Sequence, residues 1–455
     1  MMKEDDNEKN FQKDIDLYNN IDNNNTILNT QLMSFDNINI NNNNIINNKK
    51  IENNFNSQQI DINNKIKTNN FFQINFAINK SNENEQLFLN NFINTIQSSQ
   101  NKNNQNLKSQ ITIQDLNAIN SIINGMPNQK IENSFHYLQI KILQNPIYAN
   151  EILYPFLYPY MITLLNDQFG NYIYQSFIEI LNTKNLYHFL FEIKNNFKEI
   201  SSSKNGTRVI QKLIEKSTTI KQENNFIQKS LIEMLKGKIF ELSIDENANH
   251  IVQKFLINIQ YPYNNFIYEE LYKNFMYIAI TKYGCCVIQK SLINGNKEQK
   301  EKIVYLILQN TFCLITNQFG NYVYQCILML KDEKINYKII EIIYDKIIPL
   351  CKEKYSSNVI EKILDINNPI LVNQLIEDIT KNENKILELL TNKYGNYIIQ
   401  KILNISHDKK LIFRILNIIA KNILIINNAP FGKKLICKLI EKYPILTHFI
   451  NSREN

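Results

Sequence analysis

Asparagine and glutamine recur in this chain four residues apart, at Asn171 and Gln175, Asn249 and Gln253, Asn321 and Gln325, and Asn396 and Gln400. Residues four apart on a helix share a face, so each pair is predicted to project as a two-pronged fork of amide donors and acceptors. Three more pairs keep the spacing with other side chains: Thr207 and Gln211, Cys285 and Gln289, and Ser357 and Glu361. Directly after each first prong stands a residue that varies: Tyr172, Arg208, His250, Cys286, Tyr322, Asn358 and Tyr397. Most of these are flat rings, and one is a flat guanidinium. Polar forks beside flat plates suit a row of unstacked nucleobases better than most ligands. The acceptor, donor and acceptor on the edge of uracil can be answered by an Asn amide with a Gln amide. The two adjacent donors of guanine match a carboxylate such as Glu361, and adenine needs the one acceptor and one donor that a Gln amide offers beside a small Cys285 or Thr207.

Each pair belongs to a hexad: GNYIYQ, GTRVIQ, ANHIVQ, GCCVIQ, GNYVYQ, SSNVIE and GNYIIQ. Their last residues are Gln175, Gln211, Gln253, Gln289, Gln325, Glu361 and Gln400, at intervals of 36, 42, 36, 36, 36 and 39 residues. Such a period is the mark of a repeat array. The first residue is always small, and the fourth and fifth are always apolar. On a helix that apolar pair, Val209 and Ile210 for example, points into a core while the fork points away from it. The longer intervals place insertions at 217–225 and 367–382, outside every hexad.

The hexads, their spacing and their order resemble the Pumilio-homology (PUF) family of single-stranded RNA-binding proteins, over roughly 111–451. The resemblance implies an all-α, crescent-shaped, right-handed solenoid of eight three-helix repeats, one base read by each, with the strand antiparallel to the chain. A first unit is then supplied by Phe135, His136 and Gln139, since Gln139 lies 36 residues before Gln175. FGKKLICKLIEKY, from Phe431, resembles the half-repeat that closes the array. The implied site is 5′-UGUAUAU and one further base: U at Asn396 and Gln400, G at Ser357 and Glu361, U at Asn321 and Gln325, A at Cys285 and Gln289, U at Asn249 and Gln253, A at Thr207 and Gln211, and U at Asn171 and Gln175. Departures from the family pattern fall at Phe135 and His136, at Thr207, and at Cys286, which replaces a flat plate. The implied role is cytoplasmic regulation of messenger 3′ untranslated regions by a monomer that recruits deadenylase or repressor proteins. A nucleolar relative acting in ribosome assembly and a protein-binding solenoid of the HEAT or armadillo kind are the alternatives.

Charge agrees with an RNA partner. The chain carries a formal net charge of +7, and residues 1–110 hold ten Lys and Arg against twelve Asp and Glu, which leaves +9 for the repeats. Lys212, Lys254, Lys290, Lys362 and Lys401 each follow a hexad directly and are predicted to set a row of ammonium groups beside the bases. Residues 1–110 are Asn-rich and lack a sustained period, so they read as a low-complexity, disordered tail ahead of a repeat domain at 111–455. No CxxC pair, phosphate-binding glycine loop, nucleophile elbow or long apolar span stands in the sequence. These features predict no enzyme, no metal, no cofactor and no membrane anchor, with thiols suited to a reducing compartment.

Overall fold

The computed structural model describes residues 114–115, 118, 128–220, 225–366 and 368–451. The expectation of a disordered tail at 1–110 lies outside them. Helices and the turns that join them make up these residues, with no strand among them.

The hexads open one row of helices, which we number α1 (Asn128–Gln144), α2 (Gly170–Ile180), α3 (Gly206–Thr219), α4 (Asn249–Asn258), α5 (Gly284–Asn294), α6 (Gly320–Leu328), α7 (Ser356–Ile363), α8 (Gly395–Ile405) and α9 (Gly432–Lys442). From α1 to α8, each packs against the next. Between consecutive members from α2 onward the chain makes a longer helix and a shorter one, such as Lys297–Gln309 and Thr311–Ile315 between α5 and α6, whereas between α1 and α2 it makes a run of short helical segments from Pro146 to Asn166. Three helices per repeat stacked in sequence order give the expected all-α solenoid.

The apolar pairs set the packing. Ile173 and Tyr174, Val209 and Ile210, Ile251 and Val252, Val287 and Ile288, Val323 and Tyr324, Val359 and Ile360, and Ile398 and Ile399 are all buried. Burying each such side chain stabilises the fold by about 1.5–3 kcal/mol. Asparagine, so abundant here, works at helix starts: Asn182, Asn225, Asn296, Asn368 and Asn382 each accept a bond from the backbone N–H of the first turn that follows.

The small residue at the head of each hexad has a steric cause. A Cβ on Gly284 would lie 2.3 Å from the Ile278 carbonyl oxygen, and one on Gly432 would lie 1.6 Å from that of Ile426. Ser356 stands at the same place in α7 and donates its hydroxyl to the equivalent Leu350 carbonyl at 2.6 Å. Neither long interval disturbs the row. Part of the first extends α3 to Thr219, and the second falls around the Thr380, Lys381 and Asn382 link between the helices Pro369–Ile379 and Glu383–Leu390.

Candidate nucleic-acid interface

Six of the row helices, α2 to α6 and α8, start on a loop cap that the hexads did not reveal. Asp167 Oδ1 accepts from Phe169 N and Gly170 N at 2.8 and 2.7 Å, and Asp245, Asn317 and Asn392 cap α4, α6 and α8 in the same way. Ser203 and Thr281 hydroxyls accept from Gly206 N and Gly284 N, both at 3.2 Å. The signal is a short polar residue three places before the hexad, a type that favours helix starts.

Within this frame the first prong does not project as the helical spacing predicts. Asn171, Thr207, Asn249, Cys285, Asn321, Ser357 and Asn396 are all buried. Asn171 Nδ2 donates to the carbonyls of Asp167 and Gln168 at 2.9 and 3.0 Å, and its Oδ1 accepts from Gln175 Nε2 at 2.8 Å. The same three bonds recur at Asn249 with Gln253, Asn321 with Gln325 and Asn396 with Gln400. Position in the first helical turn is the physical reason: a carbonyl there keeps a second lone pair beside any backbone bond it takes, as Asp167 does beside its bond from Asn171 N, and a short amide is drawn back onto it.

Both amide hydrogens of each Asn are therefore committed to the backbone, and its oxygen fixes the neighbouring Gln. The Gln keeps one N–H and its Oε1. That leaves an adjacent donor and acceptor, which complement the N3–H of uracil and one of its carbonyls. Gln400 is itself nearly buried, whereas Gln175, Gln253 and Gln325 are half-buried.

The other repeats lack the orienting Asn. Ser357 Oγ donates to the Lys354 carbonyl at 3.2 Å, Cys285 Sγ to that of Lys282 at 3.3 Å, and Thr207 Oγ1 to that of Asn247 at 3.2 Å. Glu361 is half-buried and takes part in no ion pair among the described residues, so its carboxylate oxygens keep acceptor capacity for two donors. The Gln289 Nε2 is buried with no hydrogen-bond partner.

The plates reach the surface. His136, Tyr172, Arg208, His250, Asn358 and Tyr397 are exposed, and Cys286 and Tyr322 are half-buried. Arg208 Nη1 donates to Tyr172 Oη at 3.1 Å, which joins the plates of two neighbouring repeats. Desolvation holds the His250 imidazole below its ordinary value, favouring the neutral ring. In the first unit, Phe135 is buried beside Phe169, with ring centroids 5.9 Å apart, and Gln139 is half-buried one helical turn further on. That unit has no polar first prong.

The predicted row of free ammonium groups is corrected at three of its five members, Lys212, Lys254 and Lys401, while Lys362 takes part in no ion pair among the described residues. Lys212 Nζ lies 2.6 Å from Glu179 and 3.7 Å from Glu215, Lys254 lies 2.5 Å from Glu215, and Lys401 lies 2.6 Å from Asp365. Lys212 with Glu179, Lys254 with Glu215 and Lys401 with Asp365 each run from the lysine after one hexad to the acid nine residues after the start of the preceding hexad, whereas Lys212 with Glu215 is a pair within α3. Hydrogen bonding to Glu179 pushes the Lys212 ammonium up, and the Lys212 bond draws the Glu179 carboxyl down. These cations are already matched, and exposed pairs of this kind contribute little to stability.

Cys285 and Cys286 stand side by side on α5 with sulfurs 3.9 Å apart. The contact with Cys285 draws the Cys286 thiol below its ordinary value, with Lys290 adding to it, while Cys285 is pushed up. A lowered thiol carries more thiolate and reacts faster. Cys286 is therefore expected to alkylate with N-ethylmaleimide at a lower pH than an ordinary thiol, and bound RNA should protect Cys286 but not exposed Cys313. Peptide mapping by mass spectrometry with and without RNA reads both effects.

Among the described residues, no cluster of three or more His, Cys, Asp or Glu side chains could hold a metal ion, and no helix is long and apolar enough to cross a membrane.

Comparison with known proteins gives the context for this row. The family profile described as the NOP9-like PUF repeat domain matches residues 147–434. Pumilio homolog 11 of Arabidopsis thaliana is 35% identical over 179 residues, covering 39% of this chain and 31% of its own. Suppressor protein MPT5 of Saccharomyces cerevisiae is 32% identical over 210 residues, 43% of this chain and 23% of its own. The chain thus spans less than half the length of these relatives. Among solved structures, the Puf4 RNA binding domain bound to an HO endonuclease RNA 3′ UTR recognition sequence has 32% identity and a TM-score of 0.58, over 67% of this chain and 95% of that one. The Puf3 RNA binding domain bound to a Cox17 RNA 3′ UTR recognition sequence has 25% identity and a TM-score of 0.56, over 76% and 99%.

Proposed function

The chain belongs to the PUF repeat family, and on that premise we propose that it binds single-stranded RNA along the row from α1 to α8, reading bases by the sixth hexad residue with the third as stacking plate. The proposed site is 5′-UGUAUAU followed by one further base, with U at Gln400, G at Glu361, U at Gln325, A at Gln289, U at Gln253, A at Gln211 and U at Gln175. His136 and Gln139 face the last base. The Asn residues before each uracil position act by orienting the Gln. One observation carries the reading: Gln gives way to Glu only at Glu361, where Asn gives way to Ser357, and a purely structural repeat has no need of that paired exchange.

The proposed role is post-transcriptional repression in the cytoplasm, through elements in messenger 3′ untranslated regions and recruited deadenylase or repressor proteins. The match to a NOP9-like profile favours a second reading, a nucleolar protein of ribosome assembly. Fluorescence anisotropy of the full chain with UGUAUAUA, and with the same octamer carrying ACA for UGU, separates the two. Tight binding to the first alone is expected. Equal binding to both supports the nucleolar reading, and no binding to either removes RNA reading altogether.

A further inference from the structure

The hexad register does not stop at α8. In α9, Gly432 takes the first position, Leu435 and Ile436 form the buried apolar pair, and Cys437 takes the sixth position, 37 residues after Gln400. Hydrogen bonds also tie the helix to α8 in register. Lys442 Nζ bonds to Asn404 Oδ1 of α8, as Lys216 bonds to Glu179 between α3 and α2 at the same two hexad positions. Tyr443 Oη adds a bond to the Leu403 carbonyl at 2.6 Å.

What changes in α9 is the chemistry of its outward positions. The second position, buried in every repeat from α2 to α8, holds exposed Lys433. The third, the plate position, holds exposed Lys434, and exposed Lys438 follows the hexad. In α3, α4 and α8 the lysine after the hexad is matched by Glu179, Glu215 or Asp365, each nine residues after the start of the preceding hexad, but α8 offers Asn404 at that place, as α4 and α6 offer Ile257 and Met329. Lys433, Lys434 and Lys438 take part in no ion pair among the described residues. Three unmatched ammonium groups thus end a row in which Lys212, Lys254 and Lys401 are neutralised.

We propose that α9 is a ninth position of the row that reads no base and instead binds backbone phosphate of the nucleotide beyond the base held at α8. The ligand class is an RNA phosphodiester, recognised as a point charge by lysine ammonium groups rather than through a base edge. The inference rests on the RNA reading above, which places this nucleotide on the 5′ side of the first U. A contact of this kind adds affinity without sequence preference and is sensitive to salt.

The test titrates the full chain with UGUAUAUA, and with the same octamer extended by four abasic nucleotides at the 5′ or the 3′ end, between about 50 and 200 mM salt. Abasic residues keep the phosphates and remove the bases. The 5′ extension is expected to tighten binding and to steepen log K against log salt by about 0.7 for each phosphate contacted. The triple variant Lys433→Gln, Lys434→Gln and Lys438→Gln should lose that increment, bind the bare octamer like the parent and keep the parent's circular dichroism. Removing Lys409 and Lys410 instead, which carry comparable exposed charge outside α9, should leave the increment intact. The proposal is overturned if the 5′ extension adds nothing, or if its increment survives in the triple variant. Failure of the octamer itself to bind sinks the RNA reading and this inference together, whereas octamer binding without the increment sinks the inference alone.

Discussion

Replacing Ser357 with Asn and Glu361 with Gln is expected to move the preference at the second base from G to U, by on the order of tenfold or more. The Ser357 backbone N–H bonds the Glu353 carbonyl in the first turn of α7, and its hydroxyl bonds the Lys354 carbonyl. An Asn there finds the counterparts of the two carbonyls that hold Asn321 in α6, so its oxygen is free to fix the glutamine introduced at position 361. That Gln then presents one donor and one acceptor, which fit uracil and fail the paired donors of guanine. A two-bond contact discriminates by about 1–3 kcal/mol, or about 5- to 150-fold. Glu361→Gln alone should lose the preference for G and gain less for U, because Ser357 cannot orient the amide. Competition binding with UGUAUAUA and UUUAUAUA measures the switch, and a double variant that still prefers G would refute the assignment of Glu361.

The repeat architecture was legible because its cause is local and periodic. A small residue, an apolar pair and a return every 36 to 42 residues are enough to place Val209 and Ile210, or Ile398 and Ile399, inside a stacked helical core. The plates were legible for the same reason, since the third position faces neither the core nor the loop. What helical spacing alone could not show is the competition at a helix start. It puts Asn171 and Gln175 on one face, yet the loop carbonyls of Asp167 and Gln168 draw the Asn amide down and leave only the Gln outward. The lysine row failed at Lys212, Lys254 and Lys401 through a long-range cause. Lys212 and Lys254 look free along the sequence, and only stacking brings Glu179 and Glu215 beside them. The acids stand at one fixed hexad position of the preceding repeat, so aligning the repeats to each other, rather than scanning the chain, would have exposed the pairs.

The buried Asn also predicts the largest loss of stability. Asn321→Asp keeps the shape of the side chain but replaces two N–H donors with a carboxylate oxygen, facing the Asn317 and Gln318 carbonyls that Asn321 now serves at 2.9 Å each. Gln325 Nε2 at 3.0 Å is the one donor left to it. An uncompensated buried charge costs about 3–5 kcal/mol, and α6 lies mid-row, packed on both α5 and α7, so the defect weakens two interfaces of a nearest-neighbour array. The pH dependence has a definite sign. Burial against two acceptors raises the folded-state pKa of the introduced carboxyl above its value in the unfolded chain. Between those two values the unfolded state binds fewer protons, so the variant gains stability as pH falls through the raised value. Once protonated, the acid can donate to one carbonyl and recovers part of the loss. Urea unfolding of parent and variant at about pH 7 and about pH 5 should therefore show a large deficit that narrows at the lower pH. Equal midpoints at neutral pH would mean that the first prong is not held by the loop, and that the Gln beside it is not oriented by this bond.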